Sequence, residues 1–138
     1  GTYLAITRTW AKGDKVIIEL DMRGKLHLNH DHQSITRGPI VLARDSRLGD
    51  GFIDETSIIQ QQDGIVELTP VKDSSANIWM TFTVPCKMGT DLEGAGGLAK
   101  SIKFCDFASA GNTWDPATRY RVWLPKTLNV MEMDYEKY

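Results

Sequence analysis

From Lys15 to Met22 the chain alternates, with Val16, Ile18, Leu20 and Met22 on one side and Ile17, Glu19 and Asp21 on the other. Period-two patterning of this kind predicts a strand covered on one face. A Lys12-Gly13-Asp14 turn joins it to an earlier apolar stretch through Leu4 and Ile6, so the first expected element is a hairpin. Residues 24–32 give a shorter alternating strand through Leu26 and Leu28. Arg37-Gly38-Pro39 then leads into Ile40-Val41-Leu42-Ala43, a run apolar enough for a strand covered on both faces. Pro39 falls at its start, where a missing N–H does least harm. Residues 44–55 read as an acidic loop with Gly49, Asp50 and Gly51 as turn residues, and strand-like runs resume at 57–60, 64–71, 77–84, 101–107 and 119–124. Segment 87–100, with Gly89, Gly94, Gly96 and Gly97, is expected to be mobile. No window sustains helical spacing beyond two turns, and no internal repeat stands out. Short strands with Gly/Pro turns between them predict an all-β fold, a single antiparallel β-sandwich of jelly-roll type.

The same alternation sorts the tryptophans. In 78–84 it puts Ile78, Met80, Phe82 and Val84 on one face and leaves Trp79 on the other with Thr81 and Thr83. In 119–124 it turns Tyr120, Val122 and Leu124 inward and Arg119, Arg121 and Trp123 outward, an arrangement suited to guanidinium stacking on the indole. Between these strands, residues 101–125 carry a loop of small, Asn, Asp, Gly and Pro residues with Trp114 at its tip, either a packed corner or a contact surface. Three covers for the outward tryptophans stay open: a second layer or arginine stems, a docked domain or subunit, and a sugar ring.

At 138 residues with 41% hydrophobic side chains, the chain is one domain able to bury a core without metal or disulfide help. The formal net charge of −2 supplies no basic footprint, so no nucleic-acid partner is expected. No apolar run reaches the ~18 residues of a membrane-spanning helix, and no signal sequence is recognisable, so no membrane partner is expected either. Gly1 reads as a tag scar ahead of a domain cut from a longer protein whose upstream part holds the chemistry. Cys86 and Cys105 lack CxxC partners; they could form one disulfide in an oxidising compartment but read as ordinary thiols, and no structural zinc site is expected from them.

Residues with site chemistry are few. His27, His30 and His32 with Asp31 have a metal-like composition, yet strand geometry sets His27 opposite the other two, and a solvated turn is the simpler reading. Asp45, Asp50, Asp54 and Glu55 share one loop but lack the every-second-position oxygen ligands of an EF-hand. Asp106 and Asp115 bracket the Trp114 loop; as a glycosidase pair they would need to face each other across a cleft, whereas beside turns they bond to backbone amides. No Ser/His/Asp set or phosphate-cradling glycine loop is present.

The segments YLAITRTWAKGDKVIIELDM, RGPIVLARD and DFASAGNTWDPATRYRVWLP resemble, in order, the C-terminal β-rich region of glycoside hydrolase family 127 proteins, typified by β-L-arabinofuranosidases. The resemblance runs from Tyr3 to about Pro125, and the matching positions are structural: Trp10, Gly13, Asp14, Arg37, Gly38, Pro39, Ala110, Gly111, Trp114 and Trp123. It implies a non-catalytic accessory β-sandwich over residues 1–127 that braces an upstream (α/α)-barrel and helps form dimers, with Arg37 reaching a carboxylate of that barrel. The family's cysteine nucleophile and zinc ligands have no counterparts here, so neither catalysis nor a cofactor is carried onto Cys86 or Cys105. By the same resemblance the parent hydrolyses an arabinose-containing plant glycan and is periplasmic or secreted. Trp79, Trp114, Arg119, Arg121 and Trp123 are the expected contacts to a neighbouring domain or an oligosaccharide. The 128–138 tail matches no feature of the family.

Overall fold

A computed structural model describes residues 1–51, 53, 55–72, 77–88 and 98–126. The 128–138 tail, Asp54 and the four glycines between 89 and 97 lie outside them. Ten strands follow one another: β1 (Gly24–Asn29), β2 (His32–Arg37), β3 (Ile40–Asp45), β4 (Ser57–Ile59), β5 (Ile65–Val66), β6 (Thr69–Pro70), β7 (Thr81–Met88), β8 (Leu98–Asp106), β9 (Tyr120–Arg121) and β10 (Leu124–Pro125). All described pairs are antiparallel, in the order β4-β7-β8-β3-β2-β1-β5, with β10 beside β2, β6 beside β7 and β9 beside β3. This is the expected all-β sandwich in one small domain, nearly closed into a barrel.

Closure comes from strands that change partners. β3 leaves β2 after Val41, pairs Leu42 and Ala43 with Asp106 and Cys105 of β8, then pairs Arg44 and Asp45 with Arg121 and Tyr120 of β9. The 57–70 stretch does the same on the opposite flank: β4 and β6 lie along β7, and β5 crosses between them to Gly24 and Lys25 of β1. The inward faces meet in a core that includes Ile35, Leu42, Val66, Phe82, Val84, Ile102, Phe104 and Leu124, each nearly or fully buried. Each such side chain contributes ~1.5–3 kcal/mol of transfer free energy.

One buried polar side chain joins the two layers. Gln33 of β2 donates its amide to the Ser57 carbonyl and accepts the Ile59 N–H at 3.1 Å, acting on β4 as a rung of backbone would. We expect Gln33→Leu to lower stability by about 2 kcal/mol, because two buried backbone groups lose their partners while the volume stays similar. Urea unfolding checks it, and a neutral result would remove Gln33 from the account of closure.

The N-terminal hairpin expected from the alternation does not form. Residues 1–21 contain the turn, with Gly13 at φ 96 and Asp14 N–H bonded to Ala11 O at 3.1 Å, but no strand on either side of it. Leu4, Ile17 and Ile18 are 86%, 81% and 77% exposed. Alternation specifies a face, not a partner, and a lone two-stranded ribbon is marginal in water without a layer to cover it. Among the described residues the arm meets the sheet at its end, where Met22 Sδ lies against Gly38 in the β2–β3 turn; Gly38 has φ 56, and a Cβ there would stand 2.5 Å from that sulfur. Deleting residues 1–20 is therefore expected to change the unfolding free energy by less than about 1 kcal/mol, the scale of surface changes away from packed features. Thermal unfolding of the shortened chain measures this directly.

Other expectations shift in register. Arg44 and Asp45 belong to β3, and Ser46–Leu48 form a 3-10 turn closed by Gly49 at φ 64, so the acidic loop begins later than its composition suggests. Residues 87–88 and 98–100, expected to be mobile, are strand ends. Trp79 points outward as the alternation predicts, but Thr81 is buried, and Tyr120, expected inward, is half exposed. β9 is only two residues long and pairs with β3, whereas β10 pairs with β2, so a single period does not run through 119–124.

Candidate functional site

The chain leaves β8 at Asp106 and re-enters the sheet at Tyr120, and the loop between is a chain of tight turns. Ser109, Ala110, Asn112 and Trp114 each donate their N–H to the carbonyl three residues back, at 3.0–3.3 Å. Small residues permit this; Gly111, at φ 65, is required by it, because a Cβ there would lie 2.7 Å from the Tyr120 ring. Gly111→Ala is expected to destabilise by at least about 1–2 kcal/mol, the left-handed backbone strain to which crowding against Tyr120 adds, readable as an earlier urea midpoint.

Two buried carboxylates pin the loop. Asp106 accepts the N–H groups of Met80 and Ser109 at 3.0 Å and the Ser109 hydroxyl at 2.8 Å, while the Ser109 oxygen accepts Trp79 N–H at 3.0 Å. Asp45 accepts Arg47 in a fork, at 2.9 Å from Nε and 2.7 Å from Nη2, and also takes Gly111 N–H at 2.9 Å. The same guanidinium donates to Ser109 O and Asn112 Oδ1, and Asn112 passes the tie on from its Nδ2 to Asn77 O at 2.7 Å. Burial pushes the Asp45 carboxyl up, but the Arg47 side chain and the Gly111 and Arg47 amides outweigh it and hold the group below its ordinary value. Phe107 and Tyr120 close the base, ring centroids 6.0 Å apart.

Trp114 stands at the tip, 91% exposed and at φ 56. Trp79, whose backbone is tied to the loop through Ser109, is 79% exposed, so neither a second layer nor an arginine stem covers it. Trp123 is 41% exposed between β9 and β10. Arg119 fixes the loop's far end by backbone, its N–H on Ser46 Oγ and its carbonyl taking Ser46 N–H. Guanidinium stacking is seen at Trp10, under Arg8, and at Phe82, under Arg37 at 5.4 Å. That stacking ties Arg37 to the core ring Phe82 within the domain.

The remaining candidates are occupied structurally. Asp115 caps its own turn through Ala117 N–H at 2.8 Å. Asp50 is bound to Arg44, and Asp45 to Arg47, so two of the acidic-loop carboxylates already have guanidinium partners. His27 bonds to Thr36, and His30, at the β1–β2 turn, to Asn29. Among the described residues no three His, Cys, Asp or Glu side chains come together.

Cys86 and Cys105 are free and buried, five rungs apart on the β7–β8 ladder, roughly 16 Å at strand rise and far beyond disulfide reach. Burial pushes each thiol up to about 12. Ellman's reagent at about pH 8 is expected to find no reactive thiol in the folded chain and both after denaturation; fast labelling of the native protein would contradict this.

Sequence reasoning found Trp79, Trp114 and Trp123 but missed the anchors Asp45, Arg47, Asp106 and Ser109 as a unit. The Asp45-x-Arg47 and Asp106-x-x-Ser109 spacings carry a local signal for turn bonding. Nothing in the sequence joins the two pairs, which meet only because β3 bends from β2 to β8.

Fold and loop together define a class: a small all-β sandwich that displays a pinned aromatic loop and carries an apolar N-terminal arm that, among the described residues, joins no strand. No protein-family model matches the chain, and no curated protein sequence matches it.

Proposed function

We propose that this chain is a non-catalytic accessory domain of a glycoside hydrolase resembling the β-L-arabinofuranosidases, docking against the (α/α)-barrel catalytic domain of the same protein. The unpaired N-terminal arm carries this reading. Leu4, Ile6, Val16, Ile17, Ile18 and Leu20 stand 49–86% exposed outside any strand. Covering those six aliphatic side chains is worth on the order of 10 kcal/mol before the costs of association, and an extended segment with free backbone groups adds readily to a neighbouring sheet. The arm thus offers hydrogen bonds and apolar surface that no strand among the described residues takes up. Bracing asks nothing more of it; hydrolysis of the plant glycan belongs to the barrel, and a dimer would use whatever apolar surface the barrel leaves open.

Hydrogen exchange tests the proposal, on the chain alone and mixed with a family (α/α)-barrel catalytic domain lacking its β-region. Arm amides are expected to exchange within the dead time when the chain is alone and to become protected on mixing, and Ile18→Asp to abolish the protection. Arm amides already protected in the monomer, or unchanged by the barrel, would sink the docking role.

A further inference from the structure

We infer that the tip of the 107–119 loop is a carbohydrate-stacking subsite, with Trp114 as its platform, Trp79 carried at its base, and a neutral oligosaccharide as ligand. The indole of Trp114 is left almost wholly in water, although a tryptophan buries ~150–250 Å² where it packs. Exposure on a floppy loop would be uninformative. Here the backbone beneath is held by two buried carboxylates, a guanidinium fork and a run of tight turns, and Trp114 itself adopts φ 56, a conformation costly for any residue with a Cβ. The backbone that carries the ring is therefore fixed before any ligand arrives, which lowers the ordering cost of binding.

The surroundings choose the ligand class. A tryptophan anchoring a protein interface sits in an apolar patch whose neighbours exclude water. From Ala108 to Thr118 there is no Leu, Ile, Val, Met or Phe; beside Pro116 and Ala117, the residues flanking Trp114 in sequence are Asn112, Thr113, Asp115 and Thr118. One aromatic face among hydroxyl, amide and carboxylate groups suits a ring with C–H on one face and hydroxyls at its edge. Trp79 adds a second exposed indole whose backbone is bonded to Ser109, while Asn77 O takes the Asn112 amide, so both platforms share one frame. The apolar arm, by contrast, has aliphatic neighbours and suits protein, so the two surfaces are separate claims.

The test is calorimetric titration of the whole chain, backed by intrinsic fluorescence, with arabino-, xylo- and cello-oligosaccharides into the millimolar range. Saturable binding is expected for at least one series, with Trp114→Ala weakening it about ten-fold or more. Trp114→Phe should retain part of the affinity, and Trp123→Ala all of it. Ile18→Asp, which abolishes arm docking, should leave sugar binding unchanged, so either reading can fail alone. The proposal is overturned by no saturable binding in any series, by Trp114→Ala binding as tightly as the parent chain, or by quenching of Trp114 by the barrel domain and not by sugar. Circular dichroism on each variant establishes that the loop's loss, and not the fold's, is being read.

Discussion

The Arg44→Ala chain is expected to unfold with about 3–5 kcal/mol less free energy than the parent, the range for removing one member of a buried ion pair. Arg44 is 1% exposed and is among the largest fully buried side chains in the domain. Its Nη1 lies 2.6 Å from Asp50 Oδ1 and 3.0 Å from Lys103 O, while the other Asp50 oxygen takes Lys103 N–H. The β3–β8 ladder has its rungs at Leu42 and Ala43, so this pair continues the join of the two strands where backbone pairing has stopped. Alanine removes the charge and leaves a hole. Arg44→Met fills most of the hole without the charge, and the difference between the two variants in urea unfolding separates cavity from ion pair. A cost below about 1 kcal/mol for alanine would mean that water reaches Asp50 freely and that the pair holds little together.

Asp45→Ala is expected to cost about 3 kcal/mol and to free the 107–119 loop. Its carboxylate is fully buried and holds Arg47, whose guanidinium in turn holds Ser109 O and Asn112. Limited proteolysis should then cut between Phe107 and Arg119 in the variant and not in the parent. The pH dependence has a definite sign. Because the folded-state pKa of Asp45 is depressed, its contribution is present above the unfolded value of about 3.9 and is lost as pH falls through the lower folded value. The parent chain should lose stability below about pH 4, and Asp45→Asn, which does not titrate, should show a flatter profile. Asp21 is lowered too, first through its bond to Arg23, but that pair lies in water and should add little to the slope. Equal acid sensitivity in parent and variant would place the acid-labile group elsewhere.

Much of the sheet was legible because period-two patterning and turn residues are local properties. Gly38, at φ 56 beside Pro39, sits in the turn its neighbours announce, and Val84, Phe82 and Leu124 are buried as their alternation requires. The alternation failed for the arm, where the pattern is strongest. Val16, Ile18 and Leu20 alternate as a buried face would, but no described part of the chain supplies a surface that buries them. The site was legible by half: Trp114 stands out as one aromatic in a run of small polar residues, whereas Arg47 looks like any surface arginine until β3 brings it under the loop.

The amino-acid order alone determined that this is an all-β domain, that residues 107–119 turn tightly, and that Trp79 faces away from the core, because each depends on contacts within a few residues. Only the tertiary structure decided that Gln33 completes the β4 edge, that Asp45 and Asp106 hold one loop from two strands, and that the arm stands unpaired. Those outcomes join residues separated by 24 to 66 positions. A pairing at that distance is chosen by which buried charge or amide finds a partner once the sheets close, and no local pattern contains that information.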